Sequence, residues 1–201
     1  MPKSIKQQLA SKEGMFAGLD GLVFTHSHAD HYDEELVAEF LRLNPDTPVY
    51  LAGTIWPCAV TADKTSKETF FKIGKLNLFS FDTEHDGQIF RDVHHTSILV
   101  DTGSEKIFIA GDAKFYTGDY DLIGVHGPID YGFFNVYQLN SQDVHQFIRQ
   151  LQMKKVYLYH LGYPEDDEYQ YWEFAKRILN RLPMDFPDSE IIEPMSSIAT
   201  L

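Results

Sequence analysis

Short apolar runs alternate along this chain with stretches whose apolar residues recur every three to four positions. Gly21-Leu22-Val23-Phe24-Thr25 is brief, apolar and β-rich, the pattern of a buried strand. A helix is expected from Asp33-Glu34-Glu35 to about Leu43. Its acidic start suits a helix N-terminus, Leu36, Val37, Phe40 and Leu41 form one face, and Asn44-Pro45 ends it. Pro48–Ala52, Leu76–Phe81, Thr96–Asp101, Lys106–Ala110, Tyr131–Tyr137 and Lys155–Tyr159 read as further strands, with Ile191-Ile192 as a terminal one. Thr102-Gly103-Ser104 signals a hairpin turn. Residues 3–13 read as a short polar helix, and Ser141–Gln152 as a helix capped by Asn140 or Ser141. A long helix is expected over Asp166–Leu182, with Tyr169, Trp172 and Phe174 striped against a sheet and Pro183 as its stop. The sum is a β-rich α/β protein with helix-covered sheets. No repeat, linker or low-complexity segment divides it, so residues 1–201 read as a single domain.

Composition narrows the function classes. With 17 Lys+Arg against 30 Asp+Glu, the formal charge of −13 opposes docking on nucleic acid. No run of 18 apolar residues is present, and the N-terminus lacks the apolar core of a signal peptide, so no membrane partner is expected. The single cysteine, Cys58, permits no internal disulfide and reads as buried and inert, which fits a reducing, cytoplasmic setting.

The informative segment is Thr25-His26-Ser27-His28-Ala29-Asp30-His31, directly after the first strand. Imidazole nitrogens and carboxylate oxygens suit Zn²⁺, Mn²⁺ or Fe²⁺. In a loop at a strand end, His26 and His28 can point to one metal while Asp30 and His31 turn towards a second. A packed core would have to satisfy each of these polar groups separately.

This HxHxDH pattern resembles the signature of the metallo-β-lactamase-fold hydrolases. In that family the remaining ligands follow in a set order, and matching residues occur here. His85 stands in Thr83-Glu84-His85-Asp86 before a strand pair. Asp112 closes the Gly-Asp step of Ile107–Asp112, and His160 follows the strand at 156–159. The resemblance runs from about Asp20 to at least His160 and implies a four-layer αββα sandwich. It also implies His26, His28 and His85 on one metal, Asp30, His31 and His160 on a second, and Asp112 with a hydroxide bridging them. Two divalent cations are implied, zinc first, with manganese or iron as alternatives. Two cations about 3.5–4 Å apart activate a bridging water and stabilise attacking and leaving oxygens. With few compensating carboxylates, such a site attracts an anionic substrate despite the acidic chain. Asp30 is expected to orient or accept a proton as well as to ligate.

Other histidines compete for roles. His94 and His95 are rivals to His85 or sources of a supporting hydrogen bond. His126 lies in a Gly-rich stretch that could reach the mouth of the site, and His145 falls mid-helix. Phe115–Tyr137 reads as core or as a substrate wall, and the acidic run 165–168 as a solvated helix start or as part of the metal rim. The DHxD start, with Glu34 where many relatives carry glycine, resembles the branch that contains ascorbate-6-phosphate lactonase.

The leading expectation is a metal-dependent hydrolase of a small anionic ester, lactone or phosphoester. The alternatives are a non-catalytic or partner-dependent metal-binding protein and, behind it, a nucleic-acid phosphodiesterase. One feature departs from the resembled fold, in which about fifty residues of strands and a helix precede the first motif. Here His26 follows only 25 residues, so a shortened N-terminal β section with an exposed sheet edge is expected. Segment 3–13 or pairing into a homo-oligomer would cover that edge.

Overall fold

The computed structural model describes residues 2–56, 63–64 and 67–193, so Cys58 lies outside the described residues. Helix α1 (Lys3–Ser11) leads into β1 (Leu22–Phe24), α2 (Glu34–Leu43), β2 (Val49–Leu51) and β3 (Thr54–Trp56). Then come β4 (Asp63–Lys64), β5 (Glu68–Ile73), β6 (Leu76–His85), β7 (His95–Asp101), β8 (Lys106–Ile109) and β9 (Ala113–Lys114). The chain continues through α3 (Thr117–Gly124), β10 (Tyr131–Asn135), α4 (Gln142–Gln150), β11 (Lys155–Tyr159), α5 (Tyr171–Leu179) and β12 (Asp188–Ile191).

The strands form two sheets. The smaller has the order β1-β2-β3, with β1 and β2 parallel. The larger runs β12-β11-β10-β8-β7-β6-β5-β4, and β9 pairs with β6 outside this path. Alternation along the larger sheet sends successive residues to opposite faces. Phe71, Ile73, Leu78 and Ile98 pack with Tyr50 between the two sheets. Phe81, Leu99, Phe108 and Phe134 face the other way, onto Ile123 of α3, Phe147 and Ile148 of α4, and Ala175 and Ile178 of α5. Val37 and Phe40 of α2 cover the outer face of the small sheet against Val49. The layers are therefore helix, sheet, sheet, helix, the sandwich expected. Tyr50 Oη adds a polar tie between the sheets: it donates to Ser80 Oγ at 2.6 Å and accepts from Gly53 N–H at 2.8 Å.

The helices begin where caps permit. Asp33 caps α2, its side chain accepting from Leu36 N–H at 3.0 Å while Lys6 of α1 bonds the same carboxylate. The last long helix is shorter than expected. Asp167 accepts from the N–H groups of Tyr171 and Trp172, and Gln170 takes a left-handed conformation. These set the start of α5 at Tyr171, so Tyr169 stands outside the helix and exposed. The strand at 68–73 and the helix at 117–124 were not expected. Among the described residues no helix is long and apolar enough to cross a membrane.

Among the described residues the small sheet has three strands. Leu22 N–H bonds Pro48 O, and Ala52 N–H bonds Phe24 O, so Leu22 and Phe24 turn their backbone groups to β2. Val23 turns its own to the outer side, where no described strand pairs with β1. Helix α1 packs on α2 rather than beside β1. Lys6 and Leu9 face Leu22–Phe24 across a groove of about 210 Å³.

Candidate metal centre

Strand direction decides where the polar loops meet. β6 is antiparallel to β7, β7 is antiparallel to β8, and β8, β10 and β11 are mutually parallel. The C-terminal ends of β6, β8 and β11 therefore share one end of the sheet. His85 ends β6, Asp112 follows β8 and His160 follows β11. The loop after β1 is drawn to the same end, because Thr25 O accepts from Thr96 N–H at 2.9 Å at the start of β7. His28 O accepts from both His31 N–H and Tyr32 N–H, and this turn presents His26, His28, Asp30 and His31 together.

All seven residues expected from the sequence converge. His28 Nδ1 lies 3.1 Å from both His26 Nε2 and His85 Nε2. Asp30 Oδ2 lies 3.1 Å from His160 Nε2 and 3.6 Å from His31 Nε2. Between the two triads sits Asp112. Its Oδ2 is 3.2 Å from His31 Nε2, 3.5 Å from His160 Nε2, 3.7 Å from His85 Nε2 and 3.8 Å from His26 Nε2. His26–His28–His85, His26–His31–Asp112 and Asp30–His31–His160 each place their donor atoms within 4.8 Å of one another.

The donor set fits cations better than hydrogen bonds. His85 Nδ1–H donates to Asp86 O at 2.6 Å, which leaves the Nε2 lone pair facing the cluster. His26 Nδ1 is engaged with Thr25 Oγ1 at 3.0 Å, so its Nε2 also turns inward. His28 Nδ1 faces both Nε2 atoms at 3.1 Å and can make a good hydrogen bond to only one of them. His31 Nε2 is buried and makes no aligned hydrogen bond, although Asp112 Oδ2 lies 3.2 Å from it. A buried group of converging lone pairs is costly in the absence of a shared electrophile.

The electrostatics agree. Burial, then the neighbouring His31, lowers the His26 pKa to about 3, so it is neutral and ligand-competent at pH 7. Burial would raise the Asp112 carboxyl, but His31, His160 and the Asn135 amide outweigh it and hold it well below the usual carboxylate range. Burial likewise opposes ionisation of Asp30. His31, the Asp30 backbone N–H and His160 reverse this and keep it ionised. His160 adopts φ +67°, a left-handed conformation that costs about 1–2 kcal/mol outside glycine.

The remaining histidines separate cleanly. His94 is exposed and pairs with Asp82 at 3.3 Å. His95 is fully buried and no donor to the triads. Its Nε2 accepts from Asp112 N–H at 2.9 Å, and its Nδ1 meets Thr83 Oγ1 at 2.8 Å. It therefore orients Asp112. His126 lies away from the mouth, packed on Phe79 and Phe81 with its Nε2 3.2 Å from Glu68. His145 is buried and bonds Leu139 O.

The Gly-Asp step has a steric cause. Gly111 has φ +63°, and a Cβ there would lie 2.4 Å from His95 Nε2. Two supports were not foreseen. Asn135 Nδ2 donates to Asp112 Oδ1 at 3.2 Å, and Gln138 Nε2 donates to Gly111 O and Ala113 O. A polar residue ending β10, which pairs with both β8 and β11, was the available signal for Asn135.

A cavity of about 500 Å³ opens beside Asp30 and His160, walled by Tyr137, Tyr169 and Tyr171 and edged by Asp166 and Asp167. The acidic run thus reaches the rim of the site. Within segment 115–137, Ile123, Ile129 and Phe134 belong to the core and Phe115 and Tyr120 pack against it; Val136 and Tyr137 line the cavity.

No protein-family model matches this chain, and no curated protein does. Solved structures do match. The metallo-β-lactamase-fold protein YhfI of Bacillus subtilis superposes with a TM-score of 0.55 at 13% identity, over 96% of this chain and 82% of that one. The chain has the metallo-β-lactamase fold. Igni18, a metallo hydrolase of Ignicoccus hospitalis, matches with a TM-score of 0.52 at 14% identity, over 89% of this chain and 78% of its own. CmlA, a diiron β-hydroxylase of Streptomyces venezuelae, matches with a TM-score of 0.57 at 13% identity over 87% of this chain, which spans only 44% of CmlA. The fold thus serves metal enzymes of differing chemistry.

Proposed function

We propose that this protein is a metal-dependent hydrolase of a small ester, lactone or phosphoester. The observation that carries this reading is the arrangement of two triads of His and Asp donors about Asp112 Oδ2, beside a cavity that Asp30 and His160 line. In this reading His26, His28 and His85 would hold one divalent ion, Asp30, His31 and His160 would hold the other, and Asp112, placed between the two triads, would contribute its carboxylate. Zinc is the first expectation for an imidazole-rich set, with manganese and iron as alternatives. Such an ion pair supplies an activated water at neutral pH and charge stabilisation for the reacting oxygens.

The chain supplies the rest. His95, Asn135 and Gln138 fix Asp112 and its loop. Phe90 packs on the rings of His28 and His85 and limits water on that side. Asp30, ionised and at the cavity edge, accepts the proton of the attacking water and returns it to the leaving oxygen. The water oxygen bonds to the acyl carbon or phosphorus, the ester C–O or P–O bond breaks, and the products are an acid and an alcohol. No lysine or arginine lines the cavity, which weighs against a nucleic-acid substrate.

Metal analysis and turnover test this reading together. The purified protein should hold about two equivalents of Zn, Mn or Fe and turn over a phosphodiester, lactone or thioester model substrate. Chelation or His28→Ala should abolish both metal content and turnover. Less than one equivalent bound, with His28→Ala changing neither, overturns it. Full loading with no turnover of any probe favours a non-catalytic or partner-dependent metal protein.

A further inference from the structure

The cavity beside His160 has a wall chemistry that the metal triads do not use. Three tyrosines meet there. The Tyr137 and Tyr171 ring centroids are 6.1 Å apart at 81°, and those of Tyr169 and Tyr171 are 5.8 Å apart at 42°. Tyr137 and Tyr169 are more than half exposed. The Tyr137 and Tyr171 rings meet edge to face at this corner.

The charges at the rim are all negative. Asp166 is exposed at the edge, whereas Asp167 is occupied in capping α5. Trp172 Nε1–H donates to Gly162 O at 2.9 Å, which ties the loop after His160 to α5 and keeps this wall beside the ligands.

Three classes of guest can be compared against this wall. An anionic group finds no lysine or arginine and faces carboxylates instead. A flat aromatic group can pack on rings that meet at 81° and 42°, but it gains nothing from the carboxylate at the rim. A compact cation is attracted by the face of each ring at any azimuth and by the carboxylate at the rim. The size also suits it, since about 500 Å³ admits a small substituted ammonium together with its ester arm.

We propose that this cavity receives an alkylammonium group, the non-reacting arm of a substrate whose scissile ester lies at the His/Asp triads, with Tyr137, Tyr169, Tyr171 and Asp166 as its specificity-determining residues. The proposal rests on the hydrolase reading for the reaction, but not for the binding. An anionic phosphoester at the metals and a cationic arm in the cavity make the substrate zwitterionic, which reconciles an electrophilic centre with an acidic rim.

The test compares choline with its uncharged isostere, 3,3-dimethylbutan-1-ol. Binding to the full chain is measured by calorimetry and by tyrosine ring NMR, both metal-free and zinc-loaded. Choline should bind at least about tenfold more tightly than the alcohol, with an affinity that falls as salt rises. Tyr169→Ala should weaken choline more than the alcohol, Asp166→Asn should weaken choline several-fold and leave the alcohol unchanged, and neither should alter the metal content. Equal affinity for the two probes, or no binding of choline, overturns the proposal, as does unchanged choline affinity in both variants. Choline binding without hydrolysis of any ester sinks the hydrolase reading alone. Hydrolysis without a preference for choline esters over 3,3-dimethylbutyl esters sinks this proposal alone.

Discussion

Replacing His95 with alanine should damage both the fold and the metal centre, in amounts that follow from its contacts. The imidazole is fully buried, accepts from Asp112 N–H at 2.9 Å and meets Thr83 Oγ1 at 2.8 Å. His95→Ala leaves the Asp112 N–H without its acceptor, a loss of about 1–3 kcal/mol. The void left by the ring adds about 1–2 kcal/mol. Together these remove about 2–5 kcal/mol of the ~5–15 kcal/mol typical of a domain. Asp112 also loses its orienting partner, and metal affinity should fall about 10–100-fold.

The pH dependence carries a sign. Burial, then His26 and His85 beside it, lowers the His95 pKa to about 3, against an unfolded value of 6.5. The unfolded chain therefore takes up a proton in that window. The stability from keeping His95 neutral is complete above pH 6.5 and is lost as pH falls towards about 3. Well inside the window each such group contributes a slope of about 1.4 kcal/mol per pH unit. His26 behaves alike, so His95→Ala should remove about half of their joint slope. Urea denaturation of metal-free protein between pH 7 and 4.5 measures this, and zinc titration measures the affinity. A variant within about 0.5 kcal/mol of wild type, with unaltered slope and unaltered zinc binding, would refute the reasoning.

Three further outcomes are expected. Gly111→Ala should cost about 2 kcal/mol or more and depress metal content, because the new Cβ meets His95 Nε2 and the backbone is left-handed; thermal melts and metal analysis read this, and a wild-type melt speaks against it. Asp33→Ala removes the α2 cap and the partner of Lys6, for a loss of about 0.5–2 kcal/mol by urea denaturation, with zinc content unchanged; no loss would mean that solvent replaces the cap. The outer edge of β1, which no described strand pairs, should join two copies across Val23, giving a dimer by light scattering that Val23→Pro converts to monomer; a wild-type monomer at high concentration removes the idea.

How much of this was legible in the sequence varies by element. The HxHxDH loop declared itself because four polar donors within six residues have no use in a core. Strands such as Lys155–Tyr159 were legible because they are short, apolar and bounded. β5 was not, since Glu-Thr-Phe-Phe-Lys-Ile alternates only weakly, and its buried face is defined by Tyr50 of the other sheet. The start of α5 was missed because Asp167 looked like one acid in a solvated run, whereas its two backbone acceptor contacts fix the cap.

The sequence by itself determined the donor inventory and its order along the chain, because ligand chemistry resides in the residue type. Tertiary structure decided which histidine does what. His85, His94 and His95 lie within eleven positions, yet the β6–β7 pairing aims one into the cluster, one to solvent and one behind Asp112. It also decided that tyrosines 137, 169 and 171, far apart or unremarked in sequence, share one wall beside His160. The physical reason is that side-chain direction depends on strand register and helix start, and those are set by contacts between residues distant along the chain.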